Sequence, residues 1–191
     1  PSRRPSVTPA TARGLGERYV LTIWPLLVPL LGASPALATT IDRVVVVVDD
    51  QLVLASDVRI EEAMGQLDVS PSPFWAHDRA PAEQRLVEAG VIRVLAADVS
   101  LYQPSESAVR ARAEAVLQRA PGTAGAREAF LADLGLADDR GLAAVVRRRM
   151  VVERYLARNI QETGPAWSGA FSSLIDRLRG RTRIREIQEA T

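Results

Sequence analysis

The chain of 191 residues contains no cysteine. Disulfides and Cys-ligated zinc are therefore excluded, and a packed core has to supply the stability. Lysine is also missing, so all 24 basic residues are arginine. Guanidinium groups pair bidentately with carboxylates and stack on aromatic rings where ammonium groups do not. There is one histidine, His77, and any Ser-His nucleophile system would have to use it. It lies in a Pro/Ser-rich loop beside Asp78, with no G-x-S-x-G elbow anywhere in the chain, and reads as a surface residue. No glycine-rich phosphate loop is present. Two acidic pairs, Asp49-Asp50 and Asp138-Asp139, sit at element boundaries, where turn and cap duty accounts for them.

What is present begins with a distinct leader. Arg3, Arg4, Arg13 and Arg18 precede the apolar run Tyr19–Leu31, and the stretch "GASPALA" that follows it closes on Ala36-Leu37-Ala38, a small-x-small form. A positive region, a short apolar region and an A-x-A site together read as a secretory signal peptide over residues 1–38, cleaved after Ala38. The rival reading is a retained membrane anchor. The run is broken by Pro25 and Pro29 and falls below the ~20 residues that a span needs. The leader holds four Arg and one Glu, which leaves 20 basic against 22 acidic residues and a net charge of −2 for residues 39–191. That balance offers no clustered basic face for nucleic acid. A domain of this size buries about 68–70% of the surface its unfolded chain exposes, enough for one core.

Residues 39–191 open with five valines, Val44–Val48, a β-branched run suited to a strand. Their lack of alternation predicts burial on both faces or a cover of helices. Asp49-Asp50 predicts a turn, Gln51–Leu54 a second strand, and Ser56 the cap of a helix reaching about Leu67. A loop is expected over Asp68–Pro81 and a central, heavily buried helix from Pro81 to about Leu101. Further helices are expected from Pro104 to about Ala120, around Phe130–Leu134, from Asp138 or Asp139 to about Asn159, and from Pro165 to Gly180. Pro121–Gly125 reads as a turn and Thr182–Ile187 as a third strand. The expected class is α+β, mainly α, with about six helices around a small sheet built from both ends of the domain.

The segments "IDRVVVVVDDQLVLASDVRIEEAM", "LGLADDRGLAAVVRRRMVVERYL" and "AWSGAFSSLIDRLRGRTRIREI", in that order, resemble the core module of the SurA-like periplasmic chaperones. In that family the C-terminal helix and strand fold back onto the N-terminal strands. Full-length members carry parvulin-type prolyl isomerase domains between the long helix and the C-terminal helix. Here only "IQETGPA" separates Asn159 from Trp167, so the resemblance implies the chaperone module without the enzyme. It further implies a periplasmic, ATP-independent function on unfolded polypeptide clients, outer-membrane β-barrel precursors among them. No cofactor, metal, nucleic acid or small-molecule substrate is expected, and any membrane contact would be through an uncleaved leader. A subunit docking one folded envelope partner is the rival function, and a residual isomerase a third. Glu186 stands where the family's closing strand would carry an apolar residue.

Six residues are candidates for peptide or partner contact. Phe74 and Trp75 lie side by side in the Pro-rich loop, either folded over the core or forming an exposed apolar patch. Arg147 and Arg148, in the run Arg147–Arg149, form either a solvated face with local ion pairs or a partner patch. Trp167 and Phe171 share an apolar stripe with Leu174 and Leu178, which favours a place in the core.

Overall fold

The structure is a computed structural model that describes residues 42–120 and 126–187. Val44–Val48 forms its central strand, β1. The two-residue turn Asp49-Asp50 leads into β2, Gln51–Leu54, and β3, Ile184–Glu186, pairs on the other side of β1. All pairing is antiparallel, in the order β2-β1-β3. Among the described residues six helices accompany this sheet: α1 Ala55–Leu67, α2 Ala82–Ala96, α3 Glu106–Arg119, α4 Ala126–Asp133, α5 Asp139–Asn159 and α6 Pro165–Arg179. The class is therefore α+β, mainly α, as expected. The leader and the Pro121–Gly125 turn lie outside the described residues.

The valine run alternates in space although not in composition. Val46 and Val48 are buried, whereas Val44, Val45 and Val47 are half-buried. Residue-by-residue reversal of a pleated strand sends Val46 and Val48 to the helix-covered face. A β-bulge between Val44 and Val46 breaks the β1–β2 register, and the Val45 carbonyl accepts the Ile187 N–H at 3.0 Å. Asp49 adopts the left-handed conformation, φ 53°, which aspartate tolerates better than most residues. Its N–H donates to the Arg183 carbonyl at 2.7 Å, and its Oδ1 accepts the Arg183 N–H at 2.8 Å. The turn thus anchors the strand that arrives from the other end of the domain. Glu186 stands opposite Val46 with its side chain exposed, so a charged residue here does not disturb the pairing.

Two expected boundaries are corrected. Ser56 does not cap α1, because β2 feeds into the helix with no loop and the helix begins at Ala55. Asp42 takes the capping role, accepting both the Ser56 N–H (3.2 Å) and the Ser56 hydroxyl. Asp57 reaches back to the Leu54 N–H at 3.1 Å. α2 ends at Ala96 rather than near Leu101, and the chain turns through a short 3-10 helix, Ser100–Tyr102. Gln103 Nε2 donates to the Ala97 carbonyl and so satisfies one orphan acceptor at that helix end. Val99 and Leu101, beyond the helix end, are exposed, and so is Leu95 on the last turn of α2.

The apolar side chains form two clusters joined by α5. One gathers Val46, Val48, α2, the second half of α5 and the inner face of α6. The other gathers α1, α3, α4 and the first half of α5. Gly164, with φ 59°, turns the chain from α5 into α6, a conformation that favours glycine. Residues 160–164 are all that separates these two helices.

Candidate functional site

A buried network of charge lies where the two clusters meet. Arg149, on α5, is 2% exposed; its Nη1 bonds Glu61 and its Nε donates to Asp68 Oδ2 at 2.9 Å. Arg85, on α2, donates its Nε to the other Glu61 oxygen at 2.9 Å. Arg112, on α3, bridges Asp68 (2.6 Å) and Glu153 (2.5 Å), and Ser70 donates its hydroxyl to Glu153 at 2.6 Å. Burial works against the Arg112 charge, but hydrogen bonds with Glu153 and Asp68 outweigh it and raise its pKa above the ordinary value. Three arginines balance three carboxylates, so the seam is close to neutral. Each carboxylate accepts from two different donors, which limits the desolvation cost of burying such groups.

The Pro-rich loop folds onto this network. Phe74 and Trp75 form a 3-10 turn with Pro73 and are buried at 0% and 3% exposure. The open-patch alternative is thereby ruled out, since the loop closes over the core. Arg149 stacks its guanidinium 4.1 Å from the centre of the Trp75 ring. Arg79 lies over Phe74 and Phe171 and ion-pairs with buried Glu88 at 2.7 Å. Phe171 is buried against Phe74, and half-buried Trp167 stacks on it with the rings 5.0 Å apart and nearly parallel. Trp167 also lines a groove of about 300 Å³ with Pro71, Pro73, Leu156 and Ile160.

The three consecutive arginines separate completely. Arg147 pairs with Glu106 at the start of α3, at 2.6 Å, and Arg148 lies 3.5 Å from Asp57 on α1. Arg149 points inward, so neither a solvated face nor a partner patch describes the whole run.

Arg148 and Trp75 meet at a narrow cleft between β2, α1, α2 and α5, with about 50 Å³ of free space inside it. Exposed Leu52 of β2 is one of its lining residues, and Ile60, Leu86, Ala89 and Val145 give it an apolar wall. Its polar side carries Gln51, Asp57 and Arg93 as well as the ion pair Arg149–Glu61. No family model and no curated protein matches this chain. Burial lowers the Arg93 pKa, the nearby Arg148 charge lowers it further, and Asp57 opposes both. Among the described residues no carboxylate lies within ion-pair distance of Arg93. His77 is exposed on its loop, and no group of acidic or histidine side chains among the described residues could hold a metal ion. Arg93 and Gln51 were not legible as site residues, because each reads as an ordinary polar position until the strand edge and three helices converge.

Proposed function

We propose that the chain is a periplasmic, ATP-independent chaperone-like domain that holds extended segments of unfolded polypeptides, outer-membrane precursors among them. One observation carries this reading. β2 is an edge strand whose outer side faces no other strand among the described residues, and it borders a cleft with both apolar and charged walls. An extended chain can add to such an edge through backbone hydrogen bonds while its side chains enter the adjacent cleft. Exposed Leu52 gives that edge an apolar contact. The order of elements, with a C-terminal strand beside an N-terminal one, also fits the SurA-like resemblance. The direct passage from α5 to α6 through residues 160–164 supports a holding function without an isomerase domain.

The test is to dilute an unfolded porin from denaturant into increasing amounts of the protein and follow light scattering. Suppression of aggregation at a few-fold excess is expected. Undiminished aggregation, combined with retention of a single stoichiometric folded protein from a periplasmic extract, would assign the chain to docking instead.

A further inference from the structure

We propose that the cleft beside β2 captures the free C-terminal carboxylate of an extended polypeptide, with Arg93 and Arg148 as its receptor. This rests on the holding function above and names the part of a client that the cleft recognises.

Charge comes first. Within the cleft Glu61 and Arg149 neutralise one another. Arg93 and Arg148 then face a single carboxylate, Asp57, which already accepts the Leu54 N–H and lies 3.5 Å from Arg148. One positive charge is left over, and it sits on half-buried Arg93. A single carboxylate offsets it and relieves the repulsion between the two guanidinium groups. Its planar oxygens suit the guanidinium fork. A dianion such as phosphate would overshoot that single positive charge and leave the same space net negative.

The unpartnered atoms point to a peptide. Arg149 is 2% exposed and lines the cleft, and its Nη2 has no acceptor; Gln51 Oε1 is buried without a donor. Buried polar groups of this kind are ordinarily satisfied. A peptide unit brings one carbonyl and one N–H, complementary to this pair. Ile60, Leu86 and Val145 offer an apolar surface for the side chain next to the carboxylate.

Shape selects the end of the chain over its middle. The free space inside the cleft is about 50 Å³, room for a few water molecules and so for a carboxylate rather than a bulky ligand. α1, α2 and α5 line it together with β2, and a carboxylate at a chain end fills that small space with less bulk than a continuous segment.

The experiment titrates the full chain with fluorescent hexapeptides of one apolar sequence in three forms. These are the free acid, the C-terminal amide, and the amide with an internal glutamate. The free acid is expected to bind about tenfold or more tightly than the amide, the scale of a charge-assisted hydrogen bond. That preference should shrink as salt is raised, and the internal glutamate should not restore it. Arg93→Gln should abolish the preference, whereas Arg147→Gln, on the side of α5 that meets α3, should keep it. Equal binding of acid and amide overturns the inference and leaves the holding function standing. Recovery by the internal glutamate also overturns it, assigning the cleft to acidic side chains. If no peptide binds but porin aggregation is still suppressed, this inference alone fails; if suppression is also absent, both fail.

Discussion

Arg149 Nε lies 2.9 Å from Asp68 Oδ2, joining the middle of α5 to the residue that ends α1, 81 positions earlier in the chain. The same guanidinium holds Glu61 and stacks on Trp75. One side chain therefore connects two helices and the Pro-rich loop, and its removal would leave Glu61 to Arg85 alone and Asp68 to Arg112 alone, two buried carboxylates each short of one positive partner.

Replacing Arg149 with methionine should destabilise the fold by about 3–5 kcal/mol, the cost of breaking a buried pair from one side. The same change at Arg147, whose partner Glu106 is exposed, should cost less than about 1 kcal/mol. Urea unfolding followed by circular dichroism would measure both. Equal losses would show that the buried network contributes nothing special.

Gly90 packs directly beneath the sheet. A Cβ at that position would come 3.2 Å from Val48 Cγ2, tighter than ordinary contact, and Val48 belongs to the fully buried row of β1. Gly90→Val should therefore cost about 1–3 kcal/mol through overpacking, despite valine filling what looks like spare room in a helix. Thermal unfolding would register the loss as a lower Tm.

Acid should act on the start of α1. Asp42 is held below the usual carboxylate range, chiefly by the hydrogen bond from the Ser56 hydroxyl. With a depressed folded pKa, its stabilising contribution is complete above the ordinary aspartate value near 3.9. That contribution disappears as pH falls through the folded value. Ser56→Ala should raise the Asp42 pKa towards the ordinary value. Carbon-detected NMR titration of the Asp42 carboxyl would check the direction.

Leu52 is 57% exposed on the edge strand. Leu52→Asp should leave the melting temperature nearly unchanged, as most surface substitutions do. Affinity for unfolded porin segments should fall by about tenfold, consistent with losing a buried leucine contact. Fluorescence anisotropy with a labelled porin fragment would measure it. Unchanged affinity would remove β2 from the proposed contact.

The strands and most helices were legible because their cues are local: a valine run, Asp138 accepting from the N–H groups of Arg140 and Gly141 at the start of α5, a glycine–proline break before α6. The buried charges were not, because arginine in a run suggests solvent. A cue did exist. Leu142, Val145, Val146, Arg149 and Leu156 fall at i, i+3, i+4, i+7 and i+14, so Arg149 occupies the inward stripe of α5. Arg85 likewise shares the buried stripe of α2 with Ala82, Ala89 and Ile92. Partners for these charges come from other elements, and spacing along one helix contains no information about them. The cleft was illegible for the same reason, since β2, α1, α2 and α5 build it together.

The antiparallel contact between β1 and β3 has a kinetic consequence. Asp49 and Arg183 are 134 residues apart, so a chain emerging amino end first displays a two-stranded ribbon long before its third strand exists. During that interval one flank of the valine run lacks its neighbour, and a ribbon of two strands is marginal in water. Closing a loop of that span is slow compared with forming helices. Assembly should therefore end with the sheet, and the nascent domain would itself need protection from aggregation until then.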